Sequence, residues 1–262
     1  TGRRTQGWKR PSSDVNAAQS GLTLAHLRNA ARDLVRNNPF AESALDTIAQ
    51  HAIGSGIMST EDDARWRKWS ETTACDADGQ ENLAGLQKLV MRATAESGEV
   101  LIRRRWRRPE DKLPLPFQLQ VLEADMLDTS ATSSVVTRPG MAPGNRIIQG
   151  VEFNGIGQRV AYWIFREHPG SLIGNSLSST SVRIPAADVL HVFKRNRPGQ
   201  VRGASWFASV LLRFKDFDEF EDATLMKQKI AACLSVLTSD PEGTADALGT
   251  TSTEFPEIDT LE

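Results

Sequence analysis

The sequence has 262 residues, enough for one large domain or two small ones with a substantial core. Hydrophobic residues make up 39%, charged residues 24%, and the formal net charge is −2, so the overall charge does not indicate binding to nucleic acid or to a membrane surface. No apolar run is long enough to span a bilayer. Cys75 and Cys233 show no C-x-x-C spacing, which favours structural thiols in a reducing compartment.

The first 38 residues divide into an arm and a helix. Residues 1–21 are polar and irregular, and we expect this arm to become ordered only against a partner. The pattern from Leu22 to Arg36 favours a helix. Asn38 and Pro39 then suit the N-cap and first position of a second helix, which should end at Gly54.

Two further helices precede a change of period. The segment "DDARWRKWS" predicts a short helix with Trp66 and Trp69 on one face. A longer helix should run from Glu81 to Ser97, with Gly98 ending it. From Val100 onward, alternation of side chains favours strands rather than helix.

Strands dominate up to residue 204. Alternation predicts strands over residues 100–106 and 117–121, and a hairpin of residues 147–153 and 159–166 around "NGIGQ". The segment "VRIPAADVLHVF" predicts a strand pair or one bent strand. Residues 39–204 therefore form an α+β region with the helices first and an antiparallel sheet after them.

A long helix is predicted over residues 205–238, with Ser205 as its N-cap. Its apolar side chains do not keep one stripe, and an acidic cluster interrupts them. The members that we single out are Asp216, Asp218, Glu219 and Asp222. Residues 239–262 are polar and loop-like.

Motifs for catalysis or metal binding are not found in the sequence. There is no phosphate-binding glycine loop, dinucleotide fingerprint or nucleophile elbow, and the four histidines lack metal-ligand spacing. The segment "CDADGQ" fails the calcium-loop pattern at both ends, so a turn at Asp78 and Gly79 is expected instead. Glu123 and Asp125 could act in acid–base catalysis, but no other motif in the sequence supports a catalytic site around them. We expect no catalytic, cofactor or metal site.

The segment "RRRWRRP" contains a basic patch, which consists of Arg103, Arg104, Arg105, Arg107 and Arg108. One interpretation is a strand that presents guanidinium groups to phosphate or to acidic partners. The other is an edge strand whose charges prevent pairing with another chain. Strand alternation divides the arginines between two faces, which argues against one dedicated groove.

The acidic cluster favours a different relation to DNA. An acidic helix face repels a phosphate backbone, so it would not serve as a sequence-reading recognition helix. If many copies lined a channel, DNA inside would make few attractive contacts and could slide. The alternative is an ordinary solvated helix face.

An ordered series of motifs resembles the lambda-type family of tailed-bacteriophage portal proteins. These motifs cover most of residues 30–238 and include "RDLVRNNPFAESALDTIAQHAIGSGI", "PLPFQLQVLEADMLDTS" and "VRIPAADVLHVFKRNRPGQVRGASWFASV". The resemblance implies an α+β wing at residues 39–204 after the N-terminal arm and helix, a long stem helix at 205–238, and the start of a clip at 239–262. The rest of the clip, a second stem helix, a tunnel loop and a crown would then lie outside this sequence.

The resemblance also implies a function without catalysis. Portal subunits form a ring, which we expect to be dodecameric, at one capsid vertex, where double-stranded DNA is packaged and ejected and the tail is joined. Implied partners are other copies of the chain, the DNA, the terminase motor, the major capsid or scaffold protein and a head–tail adaptor, with no membrane. The expected location is the virion, after assembly in the host cytoplasm.

The same resemblance gives a role to the glycine-rich stretch from His191 to Val210. It resembles the bend that leads from wing to stem rather than a phosphate-binding loop. Arg195, Arg197 and Arg202 should then fix this junction, and Trp206 should be a packed anchor. Two competing functions remain at this point: a nucleic-acid-binding module that uses Arg103 to Arg108, and an enzyme with a cryptic carboxylate site.

Overall fold

Six α-helices and seven strands occur in the part of the chain that the computed structural model describes, residues 13–60, 63–132, 138–171 and 180–233. Two compact units divide the chain, residues 1–212 and residues 213–262. The helices are α1 (Val15–Ala18), α2 (Gly21–Asn37), α3 (Pro39–Ile53), α4 (Ala64–Ser70), α5 (Leu83–Ser97) and α6 (Leu211–Cys233). None of these helices is long and apolar enough to cross a membrane.

Local capping sets the helix boundaries. Asn38 ends α2 and accepts a hydrogen bond from the Ala41 amide, which caps α3, and Pro39 occupies the first position of α3. Gly54 follows α3 at φ 58° and Gly98 follows α5 at φ 92°, both in the left-handed region that favours glycine. The predicted boundaries of α3 and α5 are confirmed to within about two residues.

The sheets are antiparallel and belong to the first unit. One has the order β2-β1-β7 and the other β3-β4-β5-β6. Their strands are β1 (Glu99–Trp106), β2 (Phe117–Glu123), β3 (Arg146–Ile148), β4 (Val151–Phe153), β5 (Arg159–Phe165), β6 (Ser181–Pro185) and β7 (Val189–Phe193). The α+β class with antiparallel strands is confirmed.

One strand prediction is wrong, and a second left two alternatives between which the structure decides. Residues 147–153 were expected to form one strand, but a tight turn at Gln149 and Gly150, at φ 49° and 83°, divides them into β3 and β4. Two consecutive residues with positive φ are typical of a two-residue hairpin turn. The segment "VRIPAADVLHVF" forms two strands, β6 and β7, which a short 3-10 turn at Ala186–Asp188 separates into different sheets.

The core of the first unit lies between its two sheets. Leu101 and Leu122 of the three-stranded sheet pack with Val151, Tyr162 and Ile164 of the other sheet. On the opposite face of the three-stranded sheet, α5 packs against β1, and α2 and α3 pack against α5. A smaller cluster contains the buried side chains of Trp69, Cys75 and Leu86. Burial raises the pKa of the Cys75 thiol to about 11, as for an inert structural cysteine.

The N-terminal prediction is wrong for the part of the arm that is described. Residues 13–21 pack within the first unit: Val15 is buried, Asn16 bonds to Gly199 and Val201, and the carbonyl of Ser13 accepts a hydrogen bond from Arg197. Residues 1–12 lie outside the described residues.

The long helix begins later than predicted. Ser205 caps a 3-10 turn at Trp206–Ser209, and α6 starts at Leu211 and is described to Cys233. The remaining residues of the predicted stem helix, 234–238, and the predicted clip segment, 239–262, lie outside the described residues.

Candidate functional site

The segment that precedes α6 is held by a buried carboxylate, Glu99. Glu99 follows Gly98 at the start of β1, and its side chain is 1% exposed. Both of its oxygens accept hydrogen bonds from Nε of Arg202 at 2.9 Å, and the amide of Gly203 donates to Oε2 at 2.9 Å. Arg202 is equally buried and also donates to the carbonyl of Gln149. This pair ties residues 202–203 to the first strand of the sheet.

Two glycines permit that close approach. A Cβ on Gly98 would collide with the backbone of Ala204 and Ser205, and a Cβ on Gly203 would collide with the carbonyl of Gly98 and the side chain of Phe193. The backbones therefore touch where the chain leaves the sheet. Gly199, at φ 75°, supplies the preceding turn.

His191 completes the cluster and is neutral. Its Nδ1 lies 3.0 Å from Nη1 of Arg159, which can only donate, so Nδ1 must accept; Nε2 then carries the proton and donates to Glu99 at 2.9 Å. Burial lowers the pKa of His191, and the charges of Arg202 and Arg159 lower it further against the opposing effect of Glu99. Burial alone would raise the pKa of Glu99, but the charge of Arg202 and the bond from His191 outweigh it and hold that pKa well below its usual range.

A second ion-pair cluster adjoins the first and accounts for the predicted acid–base candidates. Arg32 pairs with Glu123 at 3.0 Å and with Asp125 at 2.8 Å, and Arg28 pairs with Asp125 at 2.9 Å. Burial raises the pKa of Asp125, but the charges of Arg28 and Arg32 outweigh it and lower the pKa overall. His168 lies near the same carboxylates. Since two guanidinium groups already neutralise these acids, the arrangement suits structural ion pairing better than cation binding.

The predicted junction residues have different environments. Arg202 is the buried partner of Glu99, whereas Arg197 is exposed and donates to the carbonyl of Ser13 at 3.0 Å, and Arg195 is exposed. Trp206 is 36% exposed and lies beneath the ammonium of Lys194, so the expectation of a packed anchor at this position is wrong. The neighbouring Phe207, 5% exposed, occupies the buried position because Ser205 begins a 3-10 turn there.

The basic patch lies on a central strand, so the interpretation as a protected edge strand is wrong. β1 pairs with β2 along residues 100–106 and with β7 along residues 99–103. Arg104 pairs with Asp188 at 2.9 Å and stacks over Trp106, and Arg105 donates to Gln120. Arg107 donates to Gln118, and Arg108 is exposed. Arg103 and Arg105 both line a cleft between the two sheets.

The acidic cluster occupies one side of α6. At about 100° of rotation per residue, Asp218, Glu219 and Asp222 lie within about 100° of one another, and Asp216 extends this arc to about 160°. Asp216, Glu219 and Asp222 are exposed and Asp218 is half-buried. Two ion pairs within the helix, Arg213–Asp216 at 3.5 Å and Lys215–Glu219 at 3.9 Å, join mostly exposed groups.

Sequence reasoning missed Glu99, His191, Arg28 and Arg159 as members of one cluster. The available signal was weak: an acid stands at the first strand position after a helix-ending glycine, where an apolar residue would continue the alternation. The "CDADGQ" interpretation fared better, since Asp76 accepts hydrogen bonds from the amides of Asp78, Gln80 and Glu81 and holds a turn with Gly79 at φ 69°.

Known proteins with similar sequences include phage portal proteins. The chain is 28% identical over 228 residues to a probable portal protein of Halomonas phage phiHAP-1, which covers 80% of this chain and 42% of that protein. It is 24% identical over 257 residues to portal protein B of Escherichia phage lambda, which covers 88% of this chain and 46% of that protein. The chain thus spans somewhat less than half the length of these relatives.

Among solved structures, a chain from the neck of a native GTA particle computed with C12 symmetry aligns with a TM-score of 0.47 and 12% identity, over 84% of this chain and 48% of that one. The family described as phage portal protein, lambda family, matches residues 1–260. Because this match spans nearly the whole sequence, the chain belongs to the lambda family of phage portal proteins.

Proposed function

We propose that this chain is part of a portal subunit, which forms a ring-shaped channel at one capsid vertex for packaging and ejection of double-stranded DNA and for joining head to tail. The observation that carries the proposal is the family match over residues 1–260. The α+β unit followed by a long helix agrees with the wing and stem expected from that family.

Assembly is supported by the apolar side chains of α6. Six large apolar residues of this helix are exposed in the single chain: Leu212, Phe217, Phe220, Leu225, Met226 and Ile230. A helix with so much exposed apolar surface is expected to be covered in the assembled state. Packing of α6 between neighbouring subunits of a ring, which we propose to be dodecameric, would cover it from more than one side.

The acidic side of α6 suits the lining of a channel. Asp216, Asp218, Glu219 and Asp222 would repeat around the ring and repel the phosphates of the enclosed duplex. Few attractive contacts would form, so DNA could slide along the channel. In the chain before this helix, the buried Glu99–Arg202 pair and the contacts of Arg197 would hold the wing-to-stem segment in one conformation.

The partners follow from the same proposal. The ring would bind the terminase motor, the major capsid or scaffold protein and a head–tail adaptor, and would reside in the virion after assembly in the host cytoplasm. The alternative, a nucleic-acid-binding module, is less well supported because Arg104, Arg105 and Arg107 already bond to side chains of their own unit.

Light scattering and negative-stain imaging of the purified full-length protein test the proposal. We expect a closed ring with a central channel and a mass several times that of one subunit. A protein that stays monomeric at high concentration would overturn it. Nuclease-resistant DNA in particles assembled with and without the protein then tests the packaging role directly.

A further inference from the structure

A cleft of about 350 Å³ opens between the two sheets of the first unit, where β1 and β2 face β5 and β6. Its floor is apolar and includes Leu122, Met126 and Ile164, which continue the main core. Three arginines, Arg103, Arg105 and Arg166, stand on its walls, and no acidic side chain lines it within the described part of the chain. An arginine-walled, apolar-floored cleft is therefore exposed to solvent.

Arg103 is the informative member of this group. Its neighbours along the strand have partners: Arg104 pairs with Asp188 and Arg105 donates to Gln120. Among the described residues, the guanidinium of Arg103 forms neither a hydrogen bond nor an ion pair, although it is half-buried. Burial, and then the nearby charge of Arg105, lower the pKa of Arg103, and the opposing charge of Asp188, which pairs with Arg104, does not offset them.

Such an arrangement lowers the stability of the free chain, and binding of an anionic ligand would relieve this cost. A half-buried cation without an ion pair of its own is unfavourable, and two like charges on one wall add repulsion. A carboxylate between Arg103 and Arg105 would remove both effects, because guanidinium groups bind carboxylates through paired, charge-assisted hydrogen bonds. Arg166, which is exposed at the rim, could contact a second carboxylate of the same ligand.

We propose that this cleft binds an acidic peptide segment of a partner protein, with a carboxylate held by Arg103 and Arg105 and an adjacent apolar side chain on the floor. Charge complementarity selects an anionic occupant, and the apolar floor selects one that carries hydrocarbon beside its charge. Duplex DNA fits poorly, because its outer surface is phosphate and sugar and a cleft of about 350 Å³ is too small to admit the backbone of a helix. The proposal does not depend on assembly into a ring.

The test is a binding titration with the full chain. The probe is a short fluorescein-labelled peptide in which glutamate alternates with leucine, followed by fluorescence anisotropy at low and at high salt. We expect saturable binding that weakens as salt rises. Arg103→Gln should weaken it about tenfold to a hundredfold, since a charged hydrogen-bonded contact is lost. Arg105→Gln should weaken it less, because Gln120 already shares that guanidinium.

The matched control is Arg108→Gln, which removes an exposed arginine near the end of the same strand that does not line the cleft. This variant should bind the peptide as the original chain does. A second variant, Val182→Glu, places a carboxylate on the cleft lining itself. It should compete with the peptide and weaken binding at least about tenfold, while the thermal midpoint should be equal to that of the original chain or higher.

Each alternative occupant gives a distinct result. Binding that is the same for Arg103→Gln and Arg108→Gln would overturn the proposal, as would no binding of the acidic peptide. A lysine–leucine peptide that binds equally well would overturn the role of charge, and a glutamate–serine peptide that binds equally well would overturn the role of the floor. If duplex DNA or inorganic phosphate displaced the peptide stoichiometrically at comparable concentrations, the site would be a general anion site and the peptide proposal would be wrong.

Discussion

Charged residues behave differently in the buried cluster around Glu99 and in helix α6. In the cluster, Glu99, Arg202 and His191 are almost completely buried, and each has a specific partner. Along α6, the ion pairs of Arg213 and Lys215 join groups that are about two-thirds exposed or more. The buried cluster favours one conformation of its own unit, because a conformation that left any buried charge without its partner would be much higher in free energy. The exposed charges contribute little to stability and remain accessible to other molecules.

The largest loss of stability is expected when the buried acid is neutralised. Glu99→Gln keeps the shape of the side chain but leaves the buried Arg202 without its counter-charge, while Arg28 keeps only Asp125. We expect a loss of about 3–5 kcal/mol in the free energy of unfolding, measured by urea denaturation. Glu110→Gln, which neutralises an exposed acid, should change it by less than about 0.5 kcal/mol.

A double variant distinguishes the loss of the Glu99–Arg202 interaction from other destabilising effects of the single substitutions. Arg202→Gln alone should also be destabilising, but combined with Glu99→Gln it should cost clearly less than the sum of the two single changes, since the pair is removed together. Additive losses would show that Glu99 and Arg202 do not act as one pair.

The next effect concerns the aromatic residues at the start of the 3-10 turn. Phe207→Ala should cost about 3–5 kcal/mol because this side chain is 5% exposed. Trp206→Ala should cost only about 1 kcal/mol, because the ring is 36% exposed and loses mainly its contact with Lys194. Thermal midpoints of the two variants in the same buffer give the ranking, and the reverse order would contradict the placement of these side chains.

These residues also show what the sequence could predict. The caps at Asn38, Gly54 and Gly98 act on their own helix ends, so their residue types were sufficient. The β3–β4 turn was missed because Gln149–Gly150 lacks the asparagine that usually marks such turns. The Glu99–Arg202 pair joins residues 103 positions apart, and no local pattern encodes that contact. The Trp206 error has the same origin: a choice between two adjacent aromatics depends on where the turn begins.

A smaller effect is expected from pH. Folded His191 resists protonation, whereas a histidine in the unfolded chain titrates near its ordinary value of 6.5. The unfolded state therefore binds more protons as the pH falls below about 6.5, and the folded chain loses stability there by up to about 1.4 kcal/mol per pH unit. Stability lost through Glu99 should appear only below its ordinary value of 4.5.

The variant His191→Gln tests that assignment, because its side chain can still donate to Glu99 but does not titrate. Unfolding free energies at pH 5, 6 and 7 should fall with acidity in the original chain and should be flatter in the variant. His26→Gln, which removes a histidine outside this cluster, should keep the original slope. An unchanged slope in His191→Gln would show that another group titrates.

The smallest effect on stability should come from the charges of α6, where an effect on function is expected instead. Changing Asp218, Glu219 and Asp222 together to lysine should alter the free energy of unfolding by only about 1 kcal/mol, because most of these charges are exposed. If the acids line a channel, however, the lysines would attract phosphates along the whole passage and slow the DNA. Nuclease-protected DNA per particle should then fall while rings still form in negative stain.

A control with the same change in charge, Glu42, Glu71 and Glu110 to lysine, alters exposed acids of the first unit. Equal packaging by the two triple variants would contradict the channel role of α6, because charge reversal would then act without regard to position.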